Sequence, residues 1–445
     1  MVCSLREQIL SGKLGVNKFL PSESELAKRY QLSNLSVRKG LDILVQEQLI
    51  EKIPSVGNRV ASPSPVRSTV VKFGYHSTIA GEAEMARLLG EFHRLNPHIR
   101  VDAMEIPTNN YYSFVKQYMD SQMLDIITIN NSNFQDVIER GGAELFEETT
   151  AKPGTYPFLL KAFTDGGKLL ALPLIFSPLI LCYNREHFRE KRLPEPNSGW
   201  TWSELFDTAR KLAVENERFG FYFHLLARNR WPVFLLQSGM AFEPDEHGQY
   251  NLCETTLIQS LNICRELIAM PDVFPVMLSA SDADAEELFL EQKVSVIMTT
   301  YFALNDLRKA QFAYDLAPLP SFGEYRTLLI EIGLAVNRKS MVKEAAQQLA
   351  DYLTSFEAQT IIRRQSLSIP ADQRAAEWQG KESVQRPSRF HMYREIIPTY
   401  RLISDLKLST AGLNAVQRQI KLYWSGLQDE DGLCRSIEKI VEATE

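Results

Sequence analysis

Residues 19–60 read FLPSESELAKRYQLSNLSVRKGLDILVQEQLIEKIPSVGNRV, and this stretch decides the fold of the N-terminal end. Pro21 precedes Ser22-Glu23-Ser24-Glu25, where Ser22 and Glu25 stand at capping-box spacing. Each can satisfy a free N–H at the start of a helix predicted over about Glu23 to Tyr30. Leu32-Ser33 makes a turn, and Ser33 caps a third helix whose apolar side is Val37, Leu41, Leu44 and Val45, at i, i+4, i+7 and i+8. Leu49 to Ile53 and Arg59 to Ala61 read as two short strands, with Pro54, Gly57 and Asn58 in the turn. Upstream, Leu5, Ile9 and Leu10 at helical spacing predict a first helix that begins almost at residue 1 and ends by Gly12 and Gly15. Two helices joined by a tight turn and followed by a hairpin form a winged helix-turn-helix.

The polar side of the third helix carries Asn34, Ser36, Arg38 and Lys39, which suits entry into a DNA major groove. Further candidate DNA contacts are Ser22 and Ser24 at the start of the second helix, and Lys52, Gly57 and Arg59 in the wing. Charge agrees with this placement. Residues 1–67 hold ten basic and six acidic side chains, so a whole-chain net charge of -6 leaves about -10 on the rest. A basic head on an acidic body fits one end that binds a polyanion, here double-stranded DNA.

The segment LPSESELAKRYQLSNLSVRKGLDILVQEQLIEKIPSVGNRV resembles the N-terminal domain of GntR-family transcription regulators. Pro21, Ser22, Glu23, Glu25, Leu26, Ala27, Ser33, Val37, Arg38, Leu41, Leu44, Leu49, Ile50 and Gly57 fall on the family pattern. Ser24 and Asn34 stand where the family usually has Arg, and Gln48 where it has Gly. The resemblance therefore implies DNA binding but not the family's usual operator. Repressor or activator action is not legible.

Ser62-Pro63-Ser64-Pro65 is a stiff Pro/Ser stretch, and the domain boundary is expected there: a head over 1–61, a linker over 62–69 and a body over 70–445. TVVKFGY reads as a strand, EAEMARLLGEFHRL as a helix with Met85, Leu88, Leu89, Phe92 and Leu95 inward, and IRVDAM as a strand. A helix around Tyr112 to Gln122 leads to the apolar run LDIITI. Strands alternating with helices predict an α/β body with largely parallel sheets. Thr201 caps a helix with Leu205, Ala209 and Leu212 inward, and the tail from Ser409 is helical with Trp424 and Leu427 packed.

FHRLNPHIRVD, LDIITI, GGKLLALPLIFSPLILCYNREHF, Thr201-Trp202, FLEQKVSVIMTTY and AVNRKS…EAAQQLADYLTSFEAQ occur in an order and spacing that resembles the extracellular solute-binding proteins of ABC importers, in the group that binds sugars and oligosaccharides. The resemblance implies a two-lobed periplasmic-binding-protein-like fold of type II, with lobe crossovers near 175–180 and 328–336 and a ligand cleft between the lobes. Sugar clefts combine aromatic faces with planar polar groups near strand ends. Tyr75, His76, Asn130, Asn131, Phe176, Ser177, Trp231, Tyr301 and Glu331 are the candidates by position. Asn130 and Asn131 equally suit capping of the helix that follows, and Trp202 suits packing.

No apolar run long enough to span a membrane occurs, and MVCSLREQILSGK has no signal-peptide pattern, so a cytoplasmic protein without a membrane partner is expected. Five scattered cysteines read as free thiols. GxSxG, HExxH and GxxxxGK[ST] are absent, and no Cys/His cluster has metal spacing, so neither catalysis, a metal nor a cofactor is expected. An aminotransferase body, known behind some heads of this kind, conflicts with the solute-binding signals. The expected protein is a ligand-responsive, homodimeric transcription regulator sensing a sugar or oligosaccharide. The alternative is a transport-associated solute-binding protein with a head that does not bind DNA.

Overall fold

Three helices and a hairpin build the N-terminal unit: α1 (Val2–Leu10), α2 (Glu23–Tyr30), α3 (Asn34–Gln46), β1 (Ile50–Ile53) and β2 (Gly57–Val60). The structure is a computed structural model describing residues 1–47, 49–54, 56–61, 68–107, 110–244, 246–247, 250, 252, 255–275, 280–381 and 383–443. The expected boundary at Ser62–Pro65 lies outside the described residues. Ser22 accepts from the Glu25 N–H while Glu25 accepts from the Ser22 N–H, closing the capping box at the start of α2. Ser33 caps α3 through the Ser36 N–H at 3.1 Å. Leu5, Leu26, Val37, Leu41, Leu44, Ile50 and Val60 close a small core. Ile50 pairs with Val60 and Ile53 with Gly57 in an antiparallel hairpin, and Gly57 has φ +137, which favours glycine.

The chain divides into two compact units, residues 1–69 with 97–100, and residues 70–96 with 101–445. The larger unit opens with β3 (Thr69–His76), α4 (Ile79–Glu82), α5 (Met85–Leu95), β4 (Ile99–Ile106), α6 (Tyr111–Asp120), β5 (Ile126–Asn130) and α7 (Asn131–Glu139). A small hairpin, β6 (Thr164–Asp165) and β7 (Lys168–Leu169), precedes the long strand β8 (Leu172–Asn184). Then come α8 (Arg185–Glu190), α9 (Trp202–Leu212), β9 (Phe219–Tyr222), α10 (Pro232–Gln237), α11 (Leu257–Ile268), α12 (Asp282–Leu290), β10 (Val294–Thr300), α13 (Leu304–Leu307) and β11 (Tyr314–Ala317). The second long strand, β12 (Thr327–Val336), leads to α14 (Lys343–Leu353), α15 (Phe356–Gln365), β13 (Ile369–Pro370), α16 (Gln373–Ala376), α17 (Met392–Glu395) and β14 (Tyr400–Arg401). The tail is α18 (Thr410–Trp424) and α19 (Glu430–Glu442).

The main sheet runs β4-β3-β5-β12-β8-β10-β9. It is mixed rather than largely parallel. β3 pairs with β5 and β9 with β10 in parallel, but the two long strands pair antiparallel with each other, and with β5 and β10. β8 and β12 thus join two halves, a first lobe around β3, β4 and β5 and a second around β9 and β10. Each lobe has its own apolar core. All 13 residues of β8 are buried, which is why its sequence reads as a continuous apolar run. Pro173 lacks a donor for the ladder, and the register of β12 shifts beside it, between Ile332 and Gly333.

Three expectations need correction. The helix predicted across residues 82–95 starts later, at Met85: Glu82 closes the short α4, and Glu84, at a left-handed φ of 53°, stands at the N-cap of α5. Leu95 is 54% exposed and Leu427 79% exposed, so neither packs inward. Leu95 closes α5 beside the Asn96 cap, and Leu427 follows the left-handed Gly426 that turns the chain out of α18. Cys182 and Cys264 are buried free thiols; the Cys253 residue and the Cys3 side chain lie outside the described set.

Candidate functional site

In the head, Val37, Leu41 and Leu44 anchor α3, and this turns Asn34, Ser36, Arg38 and Lys39 outward. Arg38 Nε donates to Glu23 Oε2 at 2.6 Å, Lys52 meets Asp42 at 2.9 Å, and Arg59 Nε donates to Glu51 at 2.8 Å. The Glu23 carboxylate, which accepts from the exposed Arg38 side chain, holds its guanidinium above its ordinary pKa. Three cations expected to meet DNA thus carry internal carboxylate partners, which phosphates would have to displace. Ser22 is committed to the capping box, Ser24 is exposed, and Gly57 shapes the wing turn.

In the body, a cavity of about 550 Å³ lies against β12, with Ile330 and Ile332 in its wall. His76, Glu82, Thr128, Asn130 and Asn133 come from the first lobe; Arg230, Asp282, Glu286, Thr300, Asn305 and Asp306 come from the second. The strand contributions sit at or near the carboxyl ends of β3, β5 and β10, where open α/β sheets present ligand sites. Several of these groups are held in place. The His76 N–H donates to Thr128 Oγ1 at 2.9 Å, and burial lowers the His76 pKa, favouring neutral imidazole. Asn130 Oδ1 accepts from the Asn133 N–H at 2.8 Å, so it caps α7 and also lines the cavity.

Arg230 is nearly buried and reaches Asp282 at 3.5 Å and Glu286 at 3.8 Å, while its Nε donates to the Met298 carbonyl at 3.3 Å. Burial pushes the Glu286 carboxyl up to about 7 against the opposing pull of Arg230 and Thr299. Burial likewise pushes Glu82 up to about 7; Thr78 opposes this, and the Glu286 and Asp306 charges add to it. Aromatic surface in the wall comes from Tyr111 and Phe302, at 5% and 8% exposure. The wall therefore sets hydrogen-bonding and charged side chains into a surface that is apolar over most of its area.

Of the nine residues singled out in the body, His76 and Asn130 line this cavity and seven do not. Tyr75 alternates to the opposite side of β3, its ring 5.9 Å from Phe73. Asn131 bridges α7 to β12, donating to the Leu329 carbonyl and accepting from the Glu331 N–H at 3.2 Å each. Phe176 is buried edge-on to Tyr156 and Phe158. Ser177 Oγ accepts from the Tyr301 N–H at 2.7 Å, and the Tyr301 hydroxyl donates to the Phe390 carbonyl at 2.9 Å. Trp231 is 1% exposed and Glu331 0%. All of these but the half-buried Tyr75 are closed inside the protein. Glu82, Arg230, Asp282, Glu286 and Asp306 were not found by sequence. The one available signal was the acidic helix start SDADAEE, which does not say which carboxylates face inward.

Among the described residues no cluster of His, Cys, Asp and Glu could hold a metal ion, and no helix is long and apolar enough to cross a membrane.

Comparison with known proteins agrees with both parts. Residues 1–60 match the family model described as bacterial regulatory proteins, gntR family, and residues 92–389 match that of bacterial extracellular solute-binding proteins. The sn-glycerol-3-phosphate-binding periplasmic protein UgpB of Brucella abortus is 23% identical over 191 residues, 42% of this chain and 43% of that protein. The chain thus spans less than half the length of this curated relative. An ABC substrate-binding protein from Listeria monocytogenes in complex with cycloalternan superposes with a TM-score of 0.70 at 18% identity, covering 84% of this chain and 99% of the other. A solute-binding protein from Thermotoga lettingae bound with alpha-D-tagatose gives 0.72 at 17% identity, covering 85% and 100%. At these identities the likeness is one of fold, a two-lobed α/β binding protein.

Proposed function

Because the chain belongs to the bacterial extracellular solute-binding protein family and carries a gntR-family domain at residues 1–60, we propose that it is a ligand-responsive transcription regulator. In this reading residues 1–61 bind operator DNA, 62–69 link, and 70–445 sense a sugar or oligosaccharide in the cavity at β12. The observation that carries it is the pairing, in one chain, of a helix α3 with an exposed polar side and a two-lobed body whose interlobe cavity holds hydrogen-bonding groups from both lobes. A solute that binds the closed lobes more tightly than the open ones shifts that equilibrium, and the shift is felt at the head. A cytoplasmic location and a two-fold dimer matching palindromic half-sites follow from the same reading. DNA contacts are assigned to Asn34, Ser36, Arg38, Lys39, Lys52 and Arg59, and solute contacts to His76, Asn130 and their neighbours in the cavity wall.

One observation favours a second reading. The internal ion pairs of Arg38, Lys52 and Arg59 suit a head that makes protein contacts, in a transport-associated protein. Titration of promoter DNA at rising salt separates the two. Specific, salt-sensitive binding supports the regulator, and its absence with and without sugars supports the alternative.

A further inference from the structure

The unmet hydrogen-bonding capacity of the cavity has a sign. Among its wall residues, the buried side-chain atoms without a hydrogen-bond partner among the described residues are Glu82 Oε2 and Asp282 Oδ1. Both are carboxylate oxygens, one from each lobe. A buried acceptor left unmet is costly, so an occupant that donates hydrogen bonds relieves both.

The cations nearby leave these acids undercompensated. Arg230 is shared between Asp282 and Glu286. Lys309 pairs with Asp306 at 3.0 Å on the exposed rim. Arg308, also exposed, donates to the Asn305 and Gln365 carbonyls. His76 is held toward its neutral form by burial. The inner cavity therefore sets one guanidinium against Glu82, Asp282 and Glu286, with the Glu82 carboxyl facing like charge from the second lobe.

We propose that the cavity takes a sugar bearing a protonated amine, an amino sugar or amino oligosaccharide, whose ammonium donates to Glu82 on one lobe and to Asp282 on the other. This rests on the reading of the cavity as a carbohydrate site and adds the charge class of its ligand. An ammonium brings three donors and the opposite charge, and charge-assisted hydrogen bonds of this kind are the strong ones. A phosphorylated sugar would meet the same carboxylates as like charges. Neutralising carboxyls contributed to the cavity by both lobes favours lobe closure.

Calorimetric titration of the full chain at pH 7 tests this with four probes: the free-amine disaccharide of glucosamine, cellobiose, glucose 6-phosphate and spermidine. The amine disaccharide is expected to bind at least about tenfold tighter than cellobiose. Glu82→Gln and Asp282→Asn, each checked for folding by circular dichroism, should both shrink that preference. Equal or tighter binding of cellobiose or glucose 6-phosphate overturns the inference while leaving a carbohydrate site standing, as does a preference that survives both substitutions. Binding of spermidine without any sugar supports the charge assignment and overturns the carbohydrate reading. Binding of none of the four overturns both.

Discussion

Replacing Glu331 by Met should stabilise the body, and by an amount that depends on pH. Glu331 is 0% exposed on β12, and both its carboxylate oxygens lack a hydrogen-bond partner among the described residues. Burial raises its pKa well above the ordinary value. A folded state that holds this proton while the unfolded chain releases it binds more protons over the interval between the two pKa values. Stability is then lost as pH rises through that interval, and is intact below the unfolded value near 4.5. The slope is about 1.4 kcal/mol per pH unit once the unfolded carboxyl is ionised, and it persists until the folded carboxyl itself gives up its proton. Met fills a similar volume without a charge, and the Glu331 N–H keeps its Asn131 partner. Urea unfolding followed by tryptophan fluorescence at pH 5 and pH 8 should show the variant gaining far more at the higher pH. An equal gain at both would mean that the folded protein supplies a partner or water to this carboxyl, refuting the account of its burial.

Other outcomes follow from the same geometry. Glu82 and Glu286 are both pushed up to about 7, so the empty protein should lose stability between about pH 4.5 and 7, and Glu82→Gln should flatten that part of a melting-temperature profile. Gly220→Ala should cost about 3 kcal/mol or more, because a Cβ there would stand 2.0 Å from the Ala209 carbonyl oxygen, where α9 crosses β9; chemical denaturation measures this. Arg38→Ala should weaken operator binding about tenfold or more with the head still folded, whereas Glu23→Gln, which releases Arg38 from its 2.6 Å partner, should strengthen it; fluorescence anisotropy reads both.

The elements of the head were legible because their signals are local: Ser22 with Glu25, Ser33 before the apolar stripe of α3, and a glycine in the wing turn each act within a few residues. The two-lobed fold was legible through the order of its segments. What sequence did not reveal was which face of each strand meets the cavity. On β12, Ile330 and Ile332 line it and Glu331 between them points away; at the end of β10, Thr300 lines it and Tyr301 turns into the core; on β3, His76 lines it and Tyr75 does not. Strand side chains alternate, so choosing the more chemically attractive neighbour puts the choice one residue off and on the wrong face. The strand directions were misread for a related reason. Apolar runs such as that of β8 signal burial on both sides, which here comes from crossing between two lobes rather than from a parallel sheet.

The central claim is that solute binding in the body changes DNA binding by the head. It is tested most directly by fluorescence anisotropy of the full chain with DNA from its own promoter, repeated with a saccharide that raises its melting temperature. The account predicts salt-sensitive, sequence-specific binding whose midpoint shifts by about fivefold or more when the saccharide is added, in either direction. Specific DNA binding that is unchanged by a saccharide bound at saturation would contradict it.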